Sequence, residues 1–175
     1  MTTSNRVATP LVVLIALYVA ALLQLVCYGS RLPERVAVHF GGDGSPNGWS
    51  TRSCFWLVYG ALLVGSALLW IAIPFALRAT PARSLNLPHR EYWLAPERRE
   101  RTLRFLRDWT WWFGAVLTGA LVGSFQAVIL GNLRPVVHVD NRVFHLLFVP
   151  FLIFTAVWTA GGYLRFRLPR GAGDR

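Results

Sequence analysis

Long apolar stretches alternate with short polar segments along this chain of 175 residues. Four apolar runs contain no Asp, Glu, Lys or Arg, and they cover residues 9–28, 54–77, 111–131 and 143–164. Each run has at least 20 residues, and an α-helix of that length crosses a hydrocarbon core of about 30 Å. Four such runs do not fit a soluble chain of this size. The pattern therefore predicts a single all-α membrane domain, residues 1–175, with four transmembrane helices.

The first loop, residues 29–53, contains the clearest strand signal. Residues 35–40 (RVAVHF) alternate with period two, and a dense Gly/Ser/Pro/Asn turn cluster follows at 41–48. The third loop, on the same side of the membrane, contains a second β-branched stretch at 135–139. The two stretches could pair as a short two-stranded ribbon above the helices, an arrangement that the sequence leaves open.

The second loop, residues 78–110, changes character after Ala95. Pro96 suits the first turn of a helix, and the residues that follow are spaced for helical ion pairs. These pairs are Glu97 with Arg101, Glu100 with Arg104, and Arg104 with Asp108. We expect an amphipathic helix that lies at the membrane surface and leads into the third span. Its arginine-rich face could bind anionic lipid or could simply be solvated.

The net charge of +10 is informative through the positions of the basic residues along the chain, which indicate the membrane topology. All 18 basic side chains are arginine, and 13 of them lie in the two terminal tails and the second loop. The first and third loops hold the other 5. By the positive-inside rule, both termini and the second loop are cytoplasmic. The basic excess is therefore a topology signal, and a nucleic-acid partner is not predicted.

The first apolar run has an alternative interpretation as a cleaved signal peptide. No small residue precedes Cys27 as in a lipoprotein signal, and cleavage would place an arginine-rich segment outside the cell. An uncleaved span is favoured. Cys27 and Cys54 both lie near the outer face, and the sequence leaves open whether they are free or form a disulfide.

The spans contain little that could carry chemistry. No carboxylate lies within them, which disfavours an ion-coupled transporter. Gln24 and Gln126 are the most polar side chains inside the spans and suit interhelical hydrogen bonds. The chain contains no GxSxG elbow, phosphate loop or dinucleotide fingerprint. No catalytic residue and no cofactor are predicted.

A metal site on the outer face is the remaining chemical alternative. Its candidate ligands are His39, Asp43, His138 and Asp140, with His145 nearby. Imidazole and carboxylate together form an ordinary zinc ligand set. Pairing of the first and third loops would bring His39 towards His138. The alternative function is then a metal-dependent membrane enzyme that uses these two histidines.

Two loop motifs resemble a known family. The first loop contains LPERV at 32–36, VHF at 38–40 and GSPNGWS at 44–50, and the second contains NLPHREYWLAPERR at 86–99. This combination is similar to bacterial membrane proteins grouped as domain of unknown function 1648 (DUF1648). Two positions depart from the pattern: Gly41 stands where Asn or Asp often follows the His-aromatic pair, and Arg52 stands where Lys is usual.

The resemblance implies a bacterial cytoplasmic membrane protein. The same domain occurs in an immunity and signal-transduction protein that protects its cell against a secreted killing factor. By analogy, the chain would be a non-enzymatic sensing, immunity or accessory module with a membrane or extracellular protein partner. Outer recognition would involve Glu34, His39, Asn47 and Trp49, and inner docking Asn86, Tyr92, Trp93 and Arg98. Each also has a local structural interpretation, such as turn formation or anchoring at the interface.

Overall fold

The computed structural model describes residues 9–168, which form five helices and one two-stranded sheet. The elements are α1 (Thr9–Tyr28), β1 (Arg35–Phe40), β2 (Pro46–Thr51), α2 (Arg52–Ala79), α3 (Arg90–Trp93), α4 (Pro96–Asn132) and α5 (Asn141–Arg165). A short 3-10 turn at Ala82–Ser84 precedes α3. Arg6, Arg170 and Arg175, which contribute to the arginine count of the tails, lie outside the described residues.

Four of the helices are long and apolar enough to cross a membrane, namely α1, α2, α4 and α5. Each contains one of the predicted spans. The segment after Ala95 is helical and continues into the third span as one helix of 37 residues, α4, which has Pro96 in its first turn. That this segment lies at the membrane surface as an amphipathic helix stays a prediction. Most of the apolar side chains on these helices face outwards, as expected where lipid is the solvent. The protein is a multi-pass membrane protein.

Helix α4 is the centre of the bundle, because α1, α2 and α5 each pack against it more extensively than against one another. Small residues allow this close approach. Gly114 lies against the indole of Trp70 on α2, and Gly123 lies against Leu147 on α5. Gly119 faces Leu17 on α1. These three glycines of the third span therefore serve helix packing.

A polar network crosses the bundle on the side of the sheet. The Gln24 amide nitrogen donates to Gln126 Oε1 at 2.8 Å and to the Val122 carbonyl at 3.1 Å. The Tyr59 hydroxyl donates to Gln24 Oε1. These bonds join α1, α2 and α4, and they satisfy polar groups that would otherwise be costly in lipid. The predicted role of Gln24 and Gln126 as interhelical partners is confirmed.

The possible two-stranded ribbon is present, but it is a local hairpin, and the pairing of the first and third loops that the sequence leaves open does not form. β1 has the predicted bounds, but it pairs antiparallel with β2 and not with residues 135–139. A tight turn at residues 41–45 joins the two strands, so closing this hairpin costs much less chain entropy than pairing across two membrane spans. Residues 137–140 have no regular secondary structure and contact the hairpin turn.

The opposite end of the bundle carries most of the arginines, and we call it the arginine-rich side. The predicted helical ion pairs of α4 are not formed there. Among the described residues, Asp108 pairs with its neighbour Arg107 at 2.8 Å, and the one other ion pair, between Glu34 and Arg52, lies at the hairpin. Other arginines on this side donate to backbone carbonyls, as Arg99 does to Arg78 and Arg90 does to Arg83.

A candidate binding cavity beneath the hairpin

The hairpin turn is built from backbone hydrogen bonds and one carboxylate. The Gly41 N–H donates to the Ser45 carbonyl at 2.8 Å, and the Gly44 N–H donates to the Gly41 carbonyl at 2.9 Å. Asp43 Oδ1 accepts the Ser45 N–H at 3.0 Å, and this bond lowers the pKa of the Asp43 carboxyl. Gly44 has φ +81°, a conformation that residues with a Cβ rarely adopt. The turn cluster thus fixes the hairpin locally.

Asn132 attaches the hairpin to the bundle. Its side chain, at the last position of α4, is buried and makes a two-way amide contact with β1. Oδ1 accepts the Ala37 N–H at 2.8 Å, and Nδ2 donates to the Ala37 carbonyl at 2.9 Å. Nδ2 also donates to the Val128 carbonyl at 2.9 Å. One side chain therefore satisfies both backbone groups of a fully buried residue.

Arg52 closes the base of the hairpin. Its guanidinium donates to the Leu32 carbonyl at 3.0 Å and to the Ser30 carbonyl at 3.3 Å, and it pairs with the Glu34 carboxylate. Its backbone N–H donates to the Glu34 carbonyl at 2.9 Å. The planar guanidinium makes these contacts from two nitrogens held in a fixed fork, whereas a lysine ammonium has its three donors on one nitrogen. The base of the hairpin and the start of α2 form one unit.

The third loop contacts the hairpin at the turn between β1 and β2. The Val139 N–H donates to the Gly44 carbonyl at 3.1 Å, and the Asn141 amide donates to the Gly42 carbonyl. A Cβ at Gly44 would collide with the Val139 carbonyl and with the His138 ring. Turn and loop therefore approach more closely than any other residue at position 44 would allow.

Beneath the hairpin lies a cavity of about 550 Å³, which we call the hairpin cavity. Its walls come from both strands, α2, α4 and α5, and its lining is mainly apolar. The apolar lining residues are Val38, Phe40, Phe55, Val58, Phe125, Val128 and Phe144. Four polar side chains also line it: His39, Ser50, Cys54 and Ser124. A cavity of this size and composition suits a small molecule or an apolar group of a larger ligand.

The chemistry of the lining is that of a binding site. No Asp, Glu, Lys or Arg contributes to it, so a charged ligand group would find no counterion there. An activated nucleophile needs a hydrogen-bonded base. Within residues 9–168, His39 makes no side-chain hydrogen bond to Ser50, Cys54 or any other group. The arrangement can hold an apolar ligand against a few weakly polar groups.

The hairpin places the four outer candidate residues differently. His39 lines the hairpin cavity and packs on Gly48. Trp49 is 41% exposed, and the Arg35 guanidinium carbon lies over its ring, 5.0 Å from the ring centre. Asn47 is exposed on β2. Glu34 forms an ion pair with Arg52. Of these residues only His39 contributes to the cavity.

The metal candidates are divided between separate places. His39 lines the hairpin cavity, whereas His138 and Asp140 line a groove between α4 and α5. Asp43 is fully exposed at the hairpin turn. Across residues 9–168, no three His, Cys, Asp or Glu side chains are grouped so that they could hold a metal ion. Cys27 and Cys54 are both free and exposed. In the described part of the chain, the four candidates therefore do not come together as one ligand group.

The inner candidates form a cluster on the arginine-rich side, with one exception. The Arg98 guanidinium lies 4.0 Å from the Tyr92 ring centre, and its Nε donates to the Tyr92 carbonyl at 2.7 Å. The Trp93 indole donates to the Phe166 carbonyl at 3.1 Å and lies beneath Arg165. Asn86 is exposed and makes no side-chain hydrogen bond within the part of the chain that is described.

Several important residues are not singled out by the sequence. Asn132 is visible only as a polar residue at the end of an apolar run, and nothing in the sequence pairs it with Ala37. Phe125, Val128 and Phe144 read as ordinary lipid-facing residues. They become cavity walls only because the hairpin folds over their ends of α4 and α5.

Comparison with known families gives one match. Residues 11–63 match the family described as "Domain of unknown function (DUF1648)". This segment contains all but the first two residues of α1, both strands and the first part of α2. The resemblance carried by the first loop is confirmed, whereas the motif at 86–99 lies beyond the match. Neither the curated proteins nor the solved structures yield a match.

Proposed function

From the DUF1648 domain at residues 11–63, we propose a non-enzymatic recognition module in the cytoplasmic membrane of a bacterium. The hairpin cavity takes a ligand that presents an apolar, uncharged group from the outer face. The arginine-rich side docks to the inner leaflet or to an inner partner. Sensing and immunity are both roles that such a module can perform.

The observation that carries this proposal is the hairpin cavity. It is about 550 Å³ in volume, within the usual range for ligand sites. Its roof is fixed by the Asn132 and Arg52 hydrogen bonds, so little conformational entropy is lost when a ligand binds. A preformed apolar cavity under a fixed roof favours recognition over catalysis.

The distribution of charge supports the proposed orientation, with both termini inside. Ten arginines of the described residues lie on the arginine-rich side and five lie on the hairpin side. By the positive-inside rule, the side with more arginines is the cytoplasmic side. The hairpin and its cavity then face outwards, where an extracellular ligand would first meet the protein.

The inner surface has the composition of a docking site. Arg98 stacks on Tyr92, and Arg165 lies 4.6 Å from the Trp93 ring centre. These contacts hold guanidinium groups in place near the membrane surface, where an anionic headgroup or an acidic protein segment could pair with them. Asn86 is exposed at the edge of the same loop and belongs to this proposed surface.

The proposal is tested by photocrosslinking in cells from position 40 in the hairpin cavity, followed by identification of the adduct. Val58→Trp should fill the cavity, since Val58 lines it and is 46% exposed. We expect this change to lower the adduct yield several-fold. Leu57→Trp is the matched control, because Leu57 is 72% exposed and does not line the cavity.

The outcome that contradicts the proposal is an adduct pattern unaffected by Val58→Trp, or one that both substitutions reduce equally. Trp49→Ala and Asn47→Ala extend the test to the exposed hairpin surface. If that surface contributes to recognition, each should weaken capture of the same adduct without changing the amount of folded protein in the membrane.

A further inference from the structure

A second groove runs along the other side of α5 from the hairpin cavity. It lies between α4 and α5 and has a volume of about 210 Å³. Leu130, Val143 and Leu147 form its apolar walls, and Ala127 and Gly131 form part of its floor. Gln126, whose Oε1 accepts the Gln24 amide, also lines it. These residues of α4 point to a different face of the helix from Ser124, Phe125 and Val128, which line the hairpin cavity. The two sites are therefore separate.

The groove becomes polar at one end. Arg134, His138 and Asp140 line it there, in the loop between the last residue of α4 and the first residue of α5. This loop marks the end of both spans, so it lies at the depth of lipid headgroups. The apolar part of the groove lies alongside the hydrocarbon core. The groove thus changes from apolar to polar at the level where a phospholipid does.

The two charged residues at the mouth are not paired with each other or with another charged side chain among residues 9–168. Arg134 is exposed, and its guanidinium makes no hydrogen bond to the described residues. Asp140 uses Oδ1 to accept the Arg142 N–H at 2.9 Å as the N-cap of α5. A free guanidinium and a carboxylate at one groove mouth offer one site for an anion and one for a cation.

We propose that this groove binds one ethanolamine phospholipid. An acyl chain lies between α4 and α5, the phosphate pairs with the Arg134 guanidinium, and the ammonium pairs with the Asp140 carboxylate. The guanidinium fork matches phosphate geometry. The phosphate of a purely anionic lipid could also pair with Arg134, but its headgroup would bring no cationic group to pair with the Asp140 carboxylate. The pair of opposite charges therefore selects a zwitterionic headgroup with a free ammonium.

The test is native mass spectrometry of the full-length protein with three lipids of identical acyl chains: phosphatidylethanolamine, phosphatidylglycerol and a phosphate-free diglucosyl lipid. We expect one phosphatidylethanolamine to remain bound in preference to the other two. Arg134→Gln should lower its retention about tenfold, the effect of one lost charge-assisted hydrogen bond. Arg142→Gln is the matched control, because it removes the same charge from the first turn of α5, next to the loop and outside the groove.

Asp140→Asn isolates the headgroup preference. Asparagine also serves as an N-cap, so α5 should remain intact while the preference for phosphatidylethanolamine over phosphatidylglycerol disappears. Equal retention in Arg134→Gln and Arg142→Gln overturns the proposal. Wild-type protein that retains phosphatidylglycerol or the diglucosyl lipid as well as phosphatidylethanolamine overturns it too.

Discussion

Asn132 and Arg52 are the side chains that join the hairpin to the helices. Asn132 satisfies the two backbone groups of Ala37, which is fully buried. Arg52 holds the carbonyls of Ser30 and Leu32. Buried polar groups that lose their partner cost more than an ordinary hydrogen bond contributes. Substitutions at these two positions should therefore destabilise the hairpin by more than the loss of one ordinary hydrogen bond would.

We predict that Asn132→Ala destabilises the protein by about 2–4 kcal/mol, because it leaves two buried backbone groups unpaired. The measurement is thermal unfolding in detergent, together with hydrogen exchange of the Ala37 amide. That amide should exchange faster while the central helix amides remain protected. Asn86→Ala is the control and should change neither quantity, since Asn86 is exposed. An unchanged Ala37 exchange rate would contradict the role given to Asn132.

Arg52 and Glu34 should respond unequally to substitution although they form one ion pair. We expect Arg52→Gln to cost about 1–3 kcal/mol, because two backbone carbonyls lose a charged donor. Glu34→Gln should cost less than about 0.5 kcal/mol, since the Glu34 side chain is 81% exposed and surface ion pairs contribute little. Equal losses in unfolding measurements on the two variants would show that the ion pair, and not the carbonyl contacts, matters.

At the level of elements, the hairpin turn and the third loop are built to fit each other. Gly44 accepts the Val139 N–H through its carbonyl and leaves no room for a side chain. Gly131 is similar, because a Cβ there would meet Val139 and the His138 carbonyl. The third loop can therefore lie under the turn only with glycine at both positions.

Gly44→Ala is predicted to cost about 1–3 kcal/mol, because it combines a positive φ with a backbone collision. Gly42→Ala is a control two residues away, where an added Cβ meets nothing within 4 Å. The readout is thermal stability, with hydrogen exchange of the Val139 amide as a local probe. If both variants unfold alike, the contact between turn and loop is not what requires glycine at position 44.

Element prediction succeeded where a single periodicity decides the outcome. β1 has the bounds predicted from its period-two pattern, and each apolar run lies within one observed helix. The partner of β1 could not be predicted in the same way. Residues 46–51 (PNGWST) contain Pro and Gly and lack the β-branched pattern of a strand, yet proximity along the chain makes them the partner. The β-branched stretch at 135–139 was the misleading signal.

At the scale of the whole molecule, α4 organises the bundle, and the arginines are divided unequally between its two ends. All three other spans pack on α4, and the hairpin attaches at its end through Asn132. The hairpin and the arginine-rich side therefore lie at opposite ends of the same long helix. This separation allows one side to meet a ligand while the other remains at the opposite membrane surface.

Topology is tested with reporter fusions after residues 45 and 90. A reporter enzyme that is active only outside the cytoplasm should be active when fused after residue 45 and inactive when fused after residue 90. The reason is that the positive-inside rule places the arginine-rich second loop in the cytoplasm. A reporter that is active only in the cytoplasm should give the opposite result and serves as the internal control. The same sidedness for both fusions would overturn the proposed arrangement.

The sequence by itself determines the four spans, the β1 strand and the division of arginines between the two ends. These are properties of local composition, and each follows from a length, a period or a count. Tertiary structure alone decides the partner of β1 and the Asn132 contact with Ala37. It also decides the hairpin cavity and the groove between α4 and α5. Each depends on residues far apart in the chain, such as positions 37 and 132. Bringing them together requires the packing of α4 against its neighbours, which no local pattern records.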